Sequence, residues 1–394
     1  MKKIVNYILT GLICTGCLSC TKPFKANLTT VATNFLAVDG PVVSGDSTII
    51  TLSRTTSLSD ATQQKVELKA IVSVENDQGL LYPLTEKGNG VYTLGVTNFS
   101  TARQYRLDIK TTDGKVYQSD FVPMKVTPPI DSLYFNQTSD KTVLFYANTH
   151  DPTNSTRYYR WDYKETWLYM AIFPSYYEYS GGAIIPIPLN SPTQVSNCYQ
   201  FDSSNQIIIG SSAKLSQDII TGQQIGGLAY TSPKILYIYV MQLRQYALTQ
   251  DGFNYYQNLK TNTEQLGTLF DAQPSTTMGN IHCITSPTDL VLGFVSVSTA
   301  TSKQYNLHYN DIPLRYMPPA TDTSTCVPYQ LLFAPAATYN TRLIKALSTG
   351  DSLVYNTIYD PGSAIPGYNY APKRCVDCRA QGGTNIRPSY FPAN

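Results

Sequence analysis

The chain has 394 residues, of which 14% are charged and 12% aromatic, and its formal net charge is +2 at pH 7. A nearly neutral chain lacks the basic field that nucleic-acid binding requires, so this composition excludes a nucleic-acid partner. Tyr occurs 31 times, and Tyr, Thr and turn-forming residues favour short strands joined by loops. The composition therefore predicts an extracytoplasmic, all-β protein.

The first 19 residues have the layout of a lipoprotein signal peptide. Lys2 and Lys3 precede a mainly apolar run, Ile4–Ile13, which is followed by small residues up to Ser19. The run is too short to span a bilayer, and Cys20 stands where cleavage would occur. We predict that residues 1–19 are removed and that acyl chains such as palmitate anchor Cys20 to a membrane. Cleavage before Cys17 and a secretory signal without a lipid are the alternatives.

After a tether at residues 20–34, residues 35–125 carry the pattern of an immunoglobulin-like β-sandwich. Apolar side chains alternate strictly from Val66 to Val74, which is the strongest strand signal in the chain. Asp113-Gly114 separates two further alternating runs and indicates a tight hairpin. About seven such strands in roughly 90 residues are typical of a sandwich.

Residues 130–394 are predicted to form a larger, mainly antiparallel β-rich domain with one or two short helices. Val126-Thr127-Pro128-Pro129 is the predicted linker, because paired prolines hold an extended spacer. Thr249 can cap a helix in which Phe253, Tyr256 and Leu259 follow at helical spacing, up to about Glu264. From Pro361 onward the chain is rich in Gly, Pro and Asn, which predicts an ordered tail pinned by cysteine.

Disulfide bonds are the expected state of the cysteines that follow Cys20, since an extracytoplasmic compartment is oxidising. Their number is odd, so at most two bridges form and one thiol is left over. We predict that Cys326 pairs with Cys375 or with Cys378. A redox pair or half a zinc site would also use a C-x-x-C, but no second C-x-x-C is present, and no metal site is predicted. The candidate disulfide residues are Cys198, Cys283, Cys326, Cys375 and Cys378.

An aromatic segment from Tyr158 to Tyr179 is the candidate binding surface for a small ligand, a peptide or a glycan. Alternation along a strand would place Tyr159, Trp161 and Tyr163 on one face and Tyr158, Arg160 and Asp162 on the other. Aromatic side chains with polar tips occur at binding surfaces, but they also fill β-sandwich cores, and the sequence leaves both roles open. The candidate surface residues are Tyr159, Trp161, Tyr163 and Trp167.

No motif in the chain identifies a reaction, and we predict neither catalytic residues nor a cofactor. Ser211-Ser212-Ala213-Lys214 fits Ser-x-x-Lys, but the motifs that accompany it in enzymes are absent, so it reads as the end of a strand. His282 precedes Cys283, and a nucleophilic pair would need a spatial arrangement that spacing alone does not provide. A hydrolase with an unrecognised site is the least favoured function.

These features together resemble the DUF4249 family of Bacteroidota lipoproteins. The tail pattern is the most specific of them, and the likeness extends along the whole chain. The segments that carry it are Cys20-x-x-Pro23-Phe24, Val38-Asp39-Gly40, Tyr159-Arg160-Trp161, Cys198 with Ile207–Gly210, Gln242–Tyr246, Phe253–Leu259, Gly267–Phe270, Pro274, Gly279-Asn280-Ile281-His282-Cys283, and Cys375-x-Asp377-Cys378-Arg379-x-x-Gly382-Gly383-Thr384-Asn385-x-x-Pro388.

The resemblance implies an outer-membrane lipoprotein that is an accessory or binding partner of a TonB-dependent transporter in nutrient uptake. A structural or adhesive surface lipoprotein is the alternative. No acidic residue directly follows Cys20, so the membrane face that the protein occupies stays open. Three Asp-Ser-(Thr/Leu) triplets resemble O-glycosylation sites of the same phylum, with Ser47, Ser132 and Ser352 as acceptors.

Overall fold

The fold is built almost entirely of β-strands, and most neighbouring strands are antiparallel. The all-β prediction is therefore confirmed. The predicted signal peptide and Cys20 lie outside the described residues. The computed structural model describes residues 34–56, 65–181, 183–188, 191, 193–264, 278–317, 326–332, 345, 347–358 and 367–392.

Most strands are short. They are β1 (Leu36–Asp39), β2 (Val42–Ser44), β3 (Thr48–Arg54), β4 (Lys65–Val66), β5 (Ile71–Asn76), β6 (Leu81–Pro83), β7 (Thr85–Gly88), β8 (Val91–Leu94), β9 (Gln104–Lys110), β10 (Val116–Ser119), β11 (Val122–Pro123), β12 (Ile130–Gln137), β13 (Val143–Asp151), β14 (Tyr158–Met170), β15 (Tyr177–Ser180), β16 (Ala183–Pro186), β17 (Asn197–Ser203), β18 (Ile208–Ser211), β19 (Asp218–Leu228), β20 (Ile238–Ala247), β21 (Ile281–Cys283), β22 (Val291–Leu292), β23 (Val297–His308), β24 (Tyr329–Leu332), β25 (Ser352–Thr357) and β26 (Gly367–Pro372).

Helix α1 spans Gln250–Glu264 and helix α2 spans Lys373–Val376, and 3₁₀ turns lie at Pro233–Ile235, Tyr309–Asp311 and Cys378–Gln381. Helix α1 begins where the sequence predicts, because the Thr249 hydroxyl accepts a hydrogen bond from the Gly252 amide at 3.1 Å. No helix in the described ranges has both the length and the apolar character that crossing a membrane requires.

The first sandwich packs two six-stranded sheets against each other. One sheet has the order β22-β1-β3-β8-β7, with β4 beside β3, and the other has the order β21-β10-β9-β5-β6, with β11 beside β9. Both sheets contribute to one apolar core, in which Ile50, Leu52 and Val74 are fully buried. Asp113-Gly114 forms the predicted hairpin turn between β9 and β10, and Gly114 has a φ of 84°.

The strand predicted from Val66 to Val74 is divided in the structure. Val66 belongs to β4 in one sheet, whereas Val72 and Val74 belong to β5 in the opposing sheet. Between them Lys69 has a φ of 58°, which ends the extended conformation. The alternation predicted one strand because both halves keep period two while the chain crosses from one sheet to the other.

The second sandwich packs a three-stranded sheet, β12-β13-β19, against a six-stranded one. This larger sheet, here called the central sheet, has the order β17-β14-β20-β23-β2, with β18 beside β14. Its inner face and the smaller sheet enclose an apolar core that contains Phe145, Trp161 and Tyr239.

The two sandwiches exchange strands. β2 leaves the first sandwich after Gly40-Pro41 and pairs in parallel with β23 of the central sheet. In return, β21 pairs with β10 and β22 pairs with β1, so residues 281–292 complete the first sandwich. The first sandwich thus extends beyond residues 35–125, because sheet pairing joins distant segments that a linker pattern cannot reveal.

The C-terminal tail lies against β17 and the end of the central sheet. Cys378 is bonded to Cys198 of β17, and the Tyr199 and Thr384 backbones form an isolated antiparallel bridge. The Phe391 ring packs on Tyr199 with 4.8 Å between the ring centroids. Two small sheets, β15-β16 and β24-β26-β25, complete the described structure.

Candidate functional site

The aromatic side chains predicted as a binding surface lie in the core. Tyr159 and Trp161 are 0% and 1% exposed and Trp167 is 8% exposed. Tyr163 is half-buried and packs against the same core. The surface prediction is therefore wrong for Tyr159, Trp161 and Trp167, because this face of β14 points toward the three-stranded sheet, whereas Tyr163 also borders a cavity on the other side.

Hydrogen bonds satisfy the polar tips of these buried rings. The Tyr159 hydroxyl donates to the Asp218 carboxylate at 2.7 Å, and Trp161 Nε1 donates to Gln245 Oε1 at 2.8 Å. Burial, together with the Asp218 carboxylate, raises the pKa of Tyr159. These groups are occupied by structural partners, as buried polar groups usually are.

The opposite face of β14 carries polar and charged side chains toward the outside. Arg160 and Asp162 lie on this face, and their partners on β20 are Tyr246 and Arg244. Cross-strand neighbours of this kind form one continuous surface. With side chains from β17 and with Gln242 of β20, they line an open depression on the surface of the sheet. This depression, here called the trough, comprises Arg160, Asp162, Lys164, Phe201, Ser203, Gln242, Arg244 and Tyr246.

Two adjoining cavities form the trough. One has a volume of about 270 Å³ and the other about 530 Å³, and both are lined by Lys164 and Ser203. Ser47 and Ile49 of the first sandwich wall the smaller cavity, and Tyr390 of the tail walls the larger one. The wall of the trough therefore depends on both sandwiches and on the disulfide-linked tail.

Arg244 is the best-defined charged group in the trough. Its Nη2 bonds Asp46 Oδ2 of the first sandwich at 3.0 Å, and its guanidinium lies 5.4 Å from the centroid of the Tyr246 ring. Its Nε is buried and has no hydrogen-bond partner among the residues that the structure describes. Burial, together with the Asp162 carboxylate, raises the pKa of Tyr246.

Helix α1 fixes the neighbouring arginine, Arg160. Its Nη1 donates to the Tyr256 hydroxyl at 3.0 Å, and its guanidinium lies 4.6 Å from the centroid of the Tyr256 ring. A cation that is held by a ring face and a hydroxyl keeps its charge without a carboxylate partner. Burial raises the pKa of the Tyr256 phenol, so this hydroxyl stays a neutral acceptor.

The rest of the trough is polar with one exposed aromatic ring. Lys164 is exposed and forms no ion pair within the described ranges. Gln304 of β23, next to Gln242, donates to the Tyr390 carbonyl at 3.0 Å. Phe201 is 53% exposed. The trough thus offers cations, carboxylates, amides, hydroxyls and a ring face, which suit non-covalent binding of a polar ligand.

The structure separates His282 from Cys283. The His282 side chain is 59% exposed and its Nε2 lies 3.3 Å from Asp120 Oδ1, whereas Cys283 is 3% exposed in the core of the first sandwich. Successive strand residues point to opposite faces, so the two side chains form no nucleophilic pair. Ser211 ends β18 and its hydroxyl accepts from the Ala213 amide at 3.1 Å, so the Ser-x-x-Lys segment is not on a helix.

The two cysteines of the C-x-x-C bond different partners. Cys375 is bonded to Cys326, which is one of the two predicted pairings, and Cys378 is bonded to Cys198. Cys283 carries the leftover thiol. The motif is therefore two anchor points for the tail, and not a redox pair. Within the described part of the chain, no three His, Cys, Asp or Glu side chains are grouped closely enough to hold a metal ion.

The predicted glycosylation sites lie in three different places. Ser47 is half-buried in the wall of the trough. The Ser132 hydroxyl accepts a hydrogen bond from the Asn148 amide at 2.8 Å, and Ser352 is the first residue of β25. Glycosylation of these residues stays a prediction.

A family model described as "Domain of unknown function (DUF4249)" matches residues 21–304. This chain belongs to that family. The match covers the first sandwich and the central sheet into β23, and it ends before the tail pattern around Cys375 and Cys378. Of the other resembling segments, Gly267–Phe270 and Pro274 lie outside the described residues.

No curated protein matches this DUF4249 chain. Among solved structures, one match is titled "Biofilm associated protein - BSP domain", at 7% sequence identity and a TM-score of 0.14. The alignment covers 71% of this chain and 60% of that one, so this chain spans less than two thirds of the length of the solved structure. A TM-score this low carries no argument about fold or function.

Proposed function

We propose that this DUF4249 protein is a Bacteroidota outer-membrane lipoprotein that binds a polar ligand in the trough and serves a TonB-dependent transporter as an accessory protein. The trough itself is the observation that supports binding. Its side chains project from the middle of a sheet, between walls that two distant parts of the chain supply. Sites on rigid strands with defined walls are suited to recognition.

The strand exchange between the sandwiches supports a fixed site rather than a hinged one. Four chain passages among the described residues connect the sandwiches: Gly40-Pro41, the turn between β2 and β3, residues 126–129 and the segment between β22 and β23. Relative motion would have to break the parallel pairing of β2 with β23. The wall formed by Ser47 and Ile49 therefore keeps its position over the central sheet.

The anchor and the transporter are tested by one experiment. The full-length lipidated protein is purified from native outer membranes in mild detergent, and co-purifying proteins are identified by mass spectrometry. We expect a TonB-dependent β-barrel in stoichiometric amount, and we expect Cys20→Ala to reach the membrane fraction at a small fraction of the wild-type level. Recovery of the protein alone would contradict stable docking and favour a structural or adhesive role.

The face used for binding is tested with a photo-crosslinking residue. It is placed at Phe201, which is 53% exposed in the trough, and as a control at Ile71, which is 68% exposed on the first sandwich. We expect ligand-derived mass additions at position 201 only. Equal labelling at both positions would contradict a specific site in the trough.

A further inference from the structure

The Arg244–Asp46 ion pair has the properties of a replaceable contact. The Asp46 side chain is 54% exposed, and it lies in the turn between β2 of the central sheet and β3 of the first sandwich. Of the Arg244 nitrogens, only Nη2 bonds Asp46. The edge of the guanidinium that Nε and Nη2 form is therefore only half used. Ion pairs that are open to water are weak, because water and other anions compete for both partners.

The buried Nε of Arg244 indicates which ligand group would bind this arginine better than Asp46 does. A carboxylate that lies side-on against an arginine bonds Nε and Nη2 together, as two parallel hydrogen bonds. In this protein Nη2 holds Asp46 while the buried Nε has no partner among the described residues. A ligand carboxylate in place of Asp46 would use both donors and satisfy a buried group that is otherwise left unpaired.

The charge around the smaller cavity also favours an anion. Lys164 lies between the two cavities without an ion pair among the described residues, and Arg160 is held by an uncharged hydroxyl. Asp162 is the acidic side chain that lines the smaller cavity, whereas Glu165 and Asp202, which line the larger one, both pair with Lys234. Cationic side chains therefore outnumber acidic ones around the smaller cavity, and a ligand with more than one negative charge would gain at Arg244 and again at Lys164.

An oligosaccharide fits this floor better than a peptide does. β14 and β20 are interior strands of the central sheet, so their backbone amides and carbonyls are already paired with neighbouring strands. An extended peptide binds a sheet by adding to an edge. The edge beside the trough belongs to β17, where the tail already forms a bridge at Tyr199, and Arg244 lies on an interior strand away from that edge. Its recognition groups are side-chain amides and hydroxyls, which both donate and accept as sugar hydroxyls do, and the exposed ring of Phe201.

We propose that the trough binds an acidic oligosaccharide, with a uronate carboxylate on Arg244, and that Asp46 occupies this arginine when no ligand is bound. This inference rests on the proposed binding function and names its substrate class. It makes Asp46 an internal competitor, so removal of the Asp46 carboxylate strengthens binding while removal of the Arg244 charge weakens it. A generic cationic patch would not produce these opposite effects.

Calorimetric titration of the full-length protein in detergent tests the proposal. The probes are trigalacturonate, trimannuronate and a glucuronate-bearing xylotriose, with methyl-esterified trigalacturonate as the neutral control and a tri-glutamate peptide as the control for a different class of acid. We expect at least one uronate to bind, and we expect its neutral counterpart and the peptide to bind at least about tenfold more weakly.

The variants separate the roles of the two residues. Arg244→Gln is expected to weaken uronate binding about tenfold or more, and Asp46→Asn is expected to strengthen it severalfold. Arg106→Gln is the matched control, because Arg106 is similarly exposed and pairs with Glu75 at 2.7 Å in the first sandwich.

Several results would overturn the inference. Equal binding of the neutral sugar with no effect of Arg244→Gln would exclude carboxylate recognition and would leave ligand binding in the trough intact. Binding of the peptide alone would exclude the sugar class. If no uronate binds, the inference fails, and the membrane co-purification decides separately whether the proposed function also fails.

Discussion

Trp161 donates its indole N–H to the side-chain oxygen of Gln245, its direct neighbour on the adjacent strand, at 2.8 Å. The amide nitrogen of Gln245 donates in turn to the Pro128 carbonyl and to the Thr149 hydroxyl, at 2.9 Å each. One fully buried side chain thus links the central sheet, the opposing sheet and the segment that joins the two sandwiches.

Replacement of Gln245 with Leu should be strongly destabilising. The change keeps the approximate volume but removes three buried hydrogen bonds and leaves the Trp161 indole N–H without an acceptor, so we expect a loss of about 3 kcal/mol in the free energy of unfolding. The measurement is urea denaturation followed by Trp fluorescence. Gln242→Leu is the control, since Gln242 lies on the outer face of the same strand. A loss below about 0.5 kcal/mol for Gln245→Leu would contradict this role.

The two disulfides should differ in their contribution to stability. Cys198 and Cys378 are 180 residues apart in sequence, whereas Cys326 and Cys375 are 49 apart. If a disulfide acts mainly by restricting the unfolded chain, the longer loop contributes about 1 kcal/mol more. Paired Ser substitutions at each bridge, compared by urea denaturation, measure the difference. A greater loss for Cys326→Ser/Cys375→Ser would show that native contacts outweigh chain entropy.

Asp151 should stabilise the turn that follows β13. Burial alone would raise the pKa of its carboxyl, but hydrogen bonds from the turn outweigh burial and hold the pKa below its usual range. The donors are the amides of Thr153, Ser155 and Thr156 and the hydroxyls of Thr153 and Ser155. We expect Asp151→Ala to cost about 3 kcal/mol, measured by thermal and urea denaturation.

The sign of the pH dependence follows from the lowered pKa. Asp151 contributes stability that is present above its unfolded pKa of about 3.9 and is lost as pH falls through the folded pKa. Acid titration of wild-type stability should therefore be steeper than that of Asp151→Ala. Asp140→Ala is the control, because Asp140 caps an exposed turn with the Thr142 hydroxyl and should change stability by less than about 1 kcal/mol. Identical acid profiles for wild type and Asp151→Ala would contradict the prediction.

His150 should titrate above its ordinary range. Its Nδ1 lies 2.8 Å from Asp131 Oδ2, and this hydrogen bond and the carboxylate charge raise the pKa of the imidazole. The resulting stabilisation is fully present below the unfolded pKa of about 6.5 and is lost as pH rises through the folded pKa. NMR titration of the imidazole signals measures this pKa. Asp131→Asn should lower it, and an unchanged midpoint in that variant would show that the contact does not form in solution.

Local sequence patterns predicted those elements that depend on near neighbours. The Asp113-Gly114 hairpin and the start of helix α1 after Thr249 follow from turn chemistry and capping, which act over a few residues. The abundance of Tyr and the alternation of apolar residues determined the all-β class. The same alternation suggested one strand from Val66 to Val74, because local periodicity does not show that a chain changes sheets at Lys69.

Only the tertiary structure decided which face of β14 is the core. Alternation separates Tyr159 and Trp161 from Arg160 and Asp162, but it does not say on which side the opposing sheet packs. The cross-strand partners Gln245 and Arg244 likewise come from a segment some 80 residues away in the chain. Long-range pairing also fixed the disulfide partners and the exchange of strands between the sandwiches. Sequence alone therefore determined the class of fold, and packing between distant segments placed the trough.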